Sequence, residues 1–139
     1  MPATQERLLL AESVALVIEV KSDLSAQWDQ IRHTVRRVKE LTRQMNVVMT
    51  IGDGPSATIP CVAVGYTGHA TVDGLLQRLE TTPERDRPDG ALVIESGCFV
   101  WPGMSAWGPI GLYGLCMAIN VLLSQIGFAA PDLSSYARE

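Results

Sequence analysis

The chain has 139 residues, 47% of them hydrophobic, and a mean hydropathy of +0.15, which is enough for one domain with a sizeable core. Its net charge of −4 and pI near 5.1 exclude the global basic field of a dedicated nucleic-acid binder, so any such contact has to be local. Cys61, Cys98 and Cys116 sit singly in apolar segments without a C-x-x-C, and with His33 and His69 as the only histidines there is no recognisable zinc site. The first residues, MPATQERLLLAES, carry acids and lack the apolar run of a secretory signal, so a cytoplasmic protein with reduced thiols is expected.

Glu6 and Glu12 are the only acids in that opening segment. Ser13 to Ser22, SVALVIEVKS, then reads as a strand over 13–20. Side chains alternate along a strand, so Val14, Leu16, Ile18 and Val20 share one face, and Ala15, Val17, Glu19 and Lys21 share the other. Apolar residues on both faces predict a central strand covered on both sides, ending in a carboxylate and an ammonium that point the same way. This is the only D/E-x-K in the chain, and Lys21 is one of two lysines against nine arginines. A buried lysine can handle protons where an arginine cannot. The plainer reading is a solvated strand end holding a salt bridge.

Ser22 or Asp23 can cap a long helix over 23–45, with Leu24, Trp28, Ile31, Val35, Val38, Leu41 and Met45 forming one buried stripe. Along its flank Arg32, Arg36, Lys39 and Arg43 make a basic ribbon, with His33 and Arg37 beside it. The ribbon can hold nucleic-acid phosphates, or it can be a surface face on which Asp29 and Glu40 pair with the arginines.

An apolar strand ending in IEVKS and followed by a long amphipathic helix resembles the PD-(D/E)xK restriction-endonuclease-like superfamily, in particular an uncharacterised bacterial branch of it, over roughly residues 12 to 67. The resemblance implies a metal-dependent nuclease that hydrolyses phosphodiester bonds in DNA or RNA. Glu19 would be the Mg²⁺ ligand, and Lys21 would be the catalytic lysine that positions or activates water. Family members place a helix and two strands before this strand, with a metal-binding Asp on the second. No Asp precedes Asp23 here, and Glu12 has the opposite strand parity to Glu19. The expectation is therefore the C-terminal portion of such a domain, weak or inactive as it stands. The alternative is a non-catalytic relic or interaction module with the same fold.

Downstream, NVVMTI is followed by the turn-forming GDGPSATIP, which lacks the Lys-Ser/Thr end of a phosphate loop. Cys61 to Tyr66 predicts a strand parallel to 13–20 across a right-handed crossover. Thr71 caps a helix to Thr82 with Leu75, Leu76 and Leu79 inward, and PERDRPD (83–89) reads as a charged surface loop. Residues 91–95 and 98–101 predict a hairpin, and 102–108 a loop in which Met104 and Trp107 pack on the core or cover a cleft. Pro109 opens a final helix closed by Gly127, marginal for a membrane with Asn120, Ser124 and Gln125 in it, and ordinary for a central buried helix. The whole predicts one α/β (α+β) domain around a mixed sheet. A chain with no strand to cover the first one invites a homo-oligomeric partner or a missing N-terminal segment.

Overall fold

A computed structural model describes residues 10–47, 56–126 and 129–131. Five strands form the main sheet in the order β1-β3-β4-β5-β6: β1 (Val17–Asp23), β3 (Cys61–Thr67), β4 (Gly90–Val93), β5 (Cys98–Trp101) and β6 (Met104–Ala106). The first three are parallel and the last three form an antiparallel meander, so the sheet is mixed. Short strands β2 (Met45–Val47) and β7 (Ala129–Pro131) pair antiparallel in a second ladder. The segments 48–55, 127–128 and 132–139, with the GDG turn, Gly127 and Tyr136, lie outside the described residues.

Two helices cover one face of the sheet and a third covers the other. On the first face, α1 (Trp28–Lys39) supplies Trp28, Ile31 and Val35, and α2 (Val72–Glu80) supplies Leu75 and Leu79, to a core completed by Cys61, Ala63, Ala91, Val93, Cys98 and Val100. On the second face, α3 (Gly111–Ile126) places Leu115 and Ala118 against Val62, Leu92 and Phe99. Both parallel connections, β1-α1-β3 and β3-α2-β4, put their helix on the same face, as right-handed crossovers of one progression must.

The α+β class, the crossover helix and the parallel partner agree with the expectation, and three local differences have identifiable causes. The first strand runs 17–23 rather than 13–20, because Ala11–Ser13 is a 3-10 turn, and it lies at the edge of the sheet rather than at its centre. Ile18 is 43% exposed and Val20 54%, because they point to the second face, where α3 packs chiefly on β4, β5 and β6. The helix begins at Trp28, not at 23. Leu24 N–H donates to Thr67 O and keeps the chain on the sheet, while Asp23 Oδ1 and Gln27 Oε1 accept from Ala26 N and Asp23 N and close a turn first. That turn crosses Gly65, where an added Cβ would lie 2.7 Å from Leu24 Cβ, so only glycine lets it pass. The helix ends at Lys39 because Arg43 N–H is taken by Ala57 O, which leaves Leu41 exposed.

Residues 102–108 are not a loop alone, since Met104–Ala106 forms β6, and Trp107 is exposed rather than packed. In α2 the Thr71 hydroxyl accepts from Gly74 N at 3.1 Å as expected of a cap, but Leu76 faces solvent. The last helix is buried on one side only, along Gly111, Gly114, Leu115 and Ala118.

Candidate functional site

Glu19 and Lys21 share the β1 face that carries Val17 into the α1 core, as alternation requires. Lys21 Nζ lies 2.8 Å from Glu19 Oε1, and the two side chains keep 19% and 22% of their surface, lysine first. In register Glu19 sits beside Ala63 of β3 and Lys21 beside Gly65, the position that the Leu24 turn crosses. The far side of β1 has no neighbouring strand in the described sheet, so the pair stands at an open margin. The Glu19 charge reaches inward. Burial first, then the charges of Asp89 and Glu19, push the Cys61 thiol up to about 12, with Lys39 acting against them.

The basic ribbon does not stay together as a free surface. Arg36 donates from Nε and Nη2 to Asp86 at 2.7 Å each, and Arg32 Nη2 donates to the same carboxylate at 3.0 Å. Lys39 Nζ donates to Glu84 O at 3.0 Å. Arg43 is 4% exposed and donates to the carbonyls of Val14, Ser56 and Thr58, and burial pulls its pKa down. The Asp29–Arg32 pair on the helix surface forms at 3.3 Å, but the main anion is Asp86, more than fifty residues away from Arg32 in the chain. Asp86 has no exposed surface, and the hydrogen bonds from Arg36, followed by those from Arg32, hold its carboxyl well below the usual range against the cost of burial. Sequence reasoning placed Asp86 on a solvated loop. The available signal was an acid set between Arg85 and Arg87 in a loop able to reach α1.

Glu12 lies in the turn before β1 and not on the strand that carries Glu19. It is buried in the Ala11–Ser13 turn, its Oε1 accepts from Gln44 N at 3.2 Å, and its charge acts on Arg43. Among the described residues no group of three His, Cys, Asp or Glu side chains is placed to hold a metal. Mg²⁺ takes near-octahedral oxygen coordination, commonly through one or two carboxylates with waters and substrate phosphate. A single carboxylate already bonded to an ammonium at 2.8 Å does not by itself fit that ion. A cleft of about 430 Å³ runs along α1 past His33, Arg37, Val38 and Leu41, and neither Glu19 nor Lys21 lines it.

No family model matches the chain, and none of the curated proteins does. Among solved structures it is similar to NucC of P. aeruginosa in its cAAA-bound form, with TM-score 0.64, 18% identity and coverage of 92% of this chain and 59% of that one. It is similar also to cAAA-bound NucC of E. coli, with TM-score 0.63, 19% identity and the same two coverages. The chain thus spans 59% of the length of the two NucC chains it matches. At that identity the likeness concerns the backbone, and it shows a restriction-endonuclease-like fold.

Proposed function

We propose that this chain carries one half of a phosphodiester-hydrolysing site, with Glu19 and Lys21 as its E-x-K residues, and that it needs a further acidic group to work. The observation that carries this reading is the 2.8 Å Lys21–Glu19 contact, partly exposed at the open margin of β1 in a restriction-endonuclease-like fold. The ammonium can donate hydrogen bonds to a non-bridging phosphate oxygen where negative charge grows. The carboxylate beside it can accept from a water and orient it, and the neutral sum of the pair spares an incoming phosphate net repulsion. Mg²⁺ enters this proposal only with oxygen donors beyond Glu19, and no step here depends on it.

DNA or RNA is the proposed substrate, and the donors lacking among the described residues would come from a preceding segment or a second copy lying along β1. A non-catalytic interaction module with the same fold is the second reading. It is favoured by the ribbon cations Arg32, Arg36, Lys39 and Arg43 each being engaged within the fold.

Purified chain, Mg²⁺ or Mn²⁺, and plasmid, single-stranded DNA and RNA make the test, with Glu19→Gln and Lys21→Ala as controls. Because the similar NucC structures are cAAA-bound, each arm is run with and without cAAA. The expected result is little or no cleavage by this chain alone. Robust cleavage lost in both variants would confirm the residues and overturn the half-site, whereas cleavage that survives both substitutions would remove Glu19 and Lys21 from the chemistry.

A further inference from the structure

From Ser96 to Pro131 the sequence contains no Asp, Glu, Lys, Arg or His. Such a stretch is expected inside a protein, yet half of the helix it forms is outside. The side of α3 that carries Gly111, Gly114, Leu115 and Ala118 lies on the sheet, where an added Cβ on Gly114 would come within 2.6 Å of Phe99 Cδ1. The opposite side exposes Leu112, Tyr113, Met117, Val121 and Leu123, continued by Ile110 from the preceding turn, with Tyr113 at 65%. Soluble monomers seldom expose apolar patches of this extent, and when they do the patch marks a contact.

We propose that the outward face of α3 is the surface on which two copies of this chain associate about a two-fold axis. A surface without charge offers nothing to a nucleic acid or to a charged protein, but it is complementary to itself, and a two-fold axis brings the same patch to both sides. Its relief suits a helix pair. Cys116, Asn120 and Ser124, all small and all exposed, follow one another at intervals of four along the middle of the face. Leu112 heads that same line one turn before Cys116, Leu123 flanks it on one side, and Tyr113, Met117 and Val121 flank it on the other, so along Cys116, Asn120 and Ser124 the backbones can approach while the larger side chains interdigitate.

Asn120 selects this partner over a lipid surface. Its amide offers both donors and an acceptor, so with its own copy across the axis each can satisfy the other, whereas hydrocarbon would leave both groups unpaired. Helices that lie on membranes also carry basic residues along their polar side, and none exists in this stretch. The segment Gly108–Ile126 is nevertheless 19 residues long with a mean hydropathy of 1.5, enough by length and composition to cross a membrane, so lipid enters as an outcome of the test. Standard interfaces bury roughly 800 Å² on each partner, an order that a helix face of this length reaches with the neighbouring Ile110 and Trp107.

Sedimentation of the full chain at micromolar concentration is expected to show a dimer. Leu112→Lys and Val121→Lys, each at an exposed position, should weaken it at least about 100-fold and abolish the concentration dependence of the thermal midpoint, while the circular dichroism spectrum remains that of the parent. Geometry is checked separately with a Cys116→Ser, Asn120→Cys variant oxidised by copper phenanthroline, which should give a disulfide-linked dimer absent from Cys116→Ser alone. Cys61 and Cys98 are buried and do not compete. A monomeric parent chain would overturn the proposal, as would an oligomer indifferent to both lysine substitutions. Flotation of the chain with phosphatidylcholine–phosphatidylglycerol vesicles, lost in Leu112→Lys, would assign the face to lipid instead and overturn it equally.

Discussion

Asp86 and Glu19 are both carboxylates beside cations on the α1 side of this molecule, and they are built in opposite ways. Asp86 has no exposed surface and takes three hydrogen bonds from Arg32 and Arg36, so its lone pairs are spoken for and no ligand can reach it. Glu19 keeps about a fifth of its surface and has one ammonium on one oxygen. The first arrangement fastens the Glu84–Asp86 turn to α1, and the second sits at the margin of the sheet. Full satisfaction of a buried charge makes a structural joint. Spare hydrogen-bonding capacity at a partly open carboxylate is what a site requires, and the proposed half-site rests on that contrast.

The contrast is tested hardest at the joint. Asp86→Asn keeps the shape and removes the charge, leaving two guanidinium groups facing a neutral amide. Removing one partner from a buried ionic network is among the more destructive single changes. The expected outcome is a fall in the thermal unfolding midpoint on the order of 10 °C, read by circular dichroism. A midpoint within a degree or two of the parent would mean that Asp86 is no more of a joint than Glu19, and the comparison would fail.

Acid sharpens the same point without mutation. The folded Asp86 carboxyl is held below its unfolded value, which lies near about 4, so the stability it contributes is present above that pH. As pH falls below about 4 the unfolded chain takes up the proton first, and the contribution is lost progressively towards the folded pKa. Urea midpoints measured between pH 7 and pH 3 should therefore drop more in the parent than in Asp86→Asn. Parallel curves for the two proteins would show that the acid sensitivity belongs to other groups.

The two regions were not equally legible in the sequence. Alternation in SVALVIEVKS sufficed to put Glu19 and Lys21 on one face, and the parallel run at 61–66 followed from chain order. The edge position of β1 was hidden, because Ile18 and Val20 are as apolar as residues covered on both sides, and hydrophobicity records no neighbour. The joint was read from the wrong end. The arginines of α1 were visible as a periodic ribbon, but their partner Asp86 lies in PERDRPD, whose composition is that of a solvated loop. Only the tertiary return of that loop to α1 makes an exposed-looking acid the most buried charge described. The same blindness affects α3, which carries no charge in sequence and is buried on one side only in the fold.

The smallest expected effect is the one that separates a site from a support. If Glu19 and Lys21 stand at the margin for chemistry or binding, replacing them should cost the fold little. Each retains access to water, and a partly exposed ion pair of this kind contributes about 0–1 kcal/mol. Glu19→Gln and Lys21→Ala should therefore each shift the thermal midpoint by no more than a few degrees, well short of Asp86→Asn. The lysine change also strips an apolar stem from beside Gly65, so it should be the larger of the two. Millimolar Mg²⁺ should leave the parent midpoint unmoved, since a ligand stabilises the folded state only in proportion to its occupancy, and one carboxylate already bonded to an ammonium binds the ion weakly. A large destabilisation in both variants would make the pair a second structural joint and leave the fold without a candidate site at β1. A clear upward shift with Mg²⁺, abolished by Glu19→Gln, would instead mean that oxygen donors beyond Glu19 are already in place and that the site is closer to complete than one carboxylate implies.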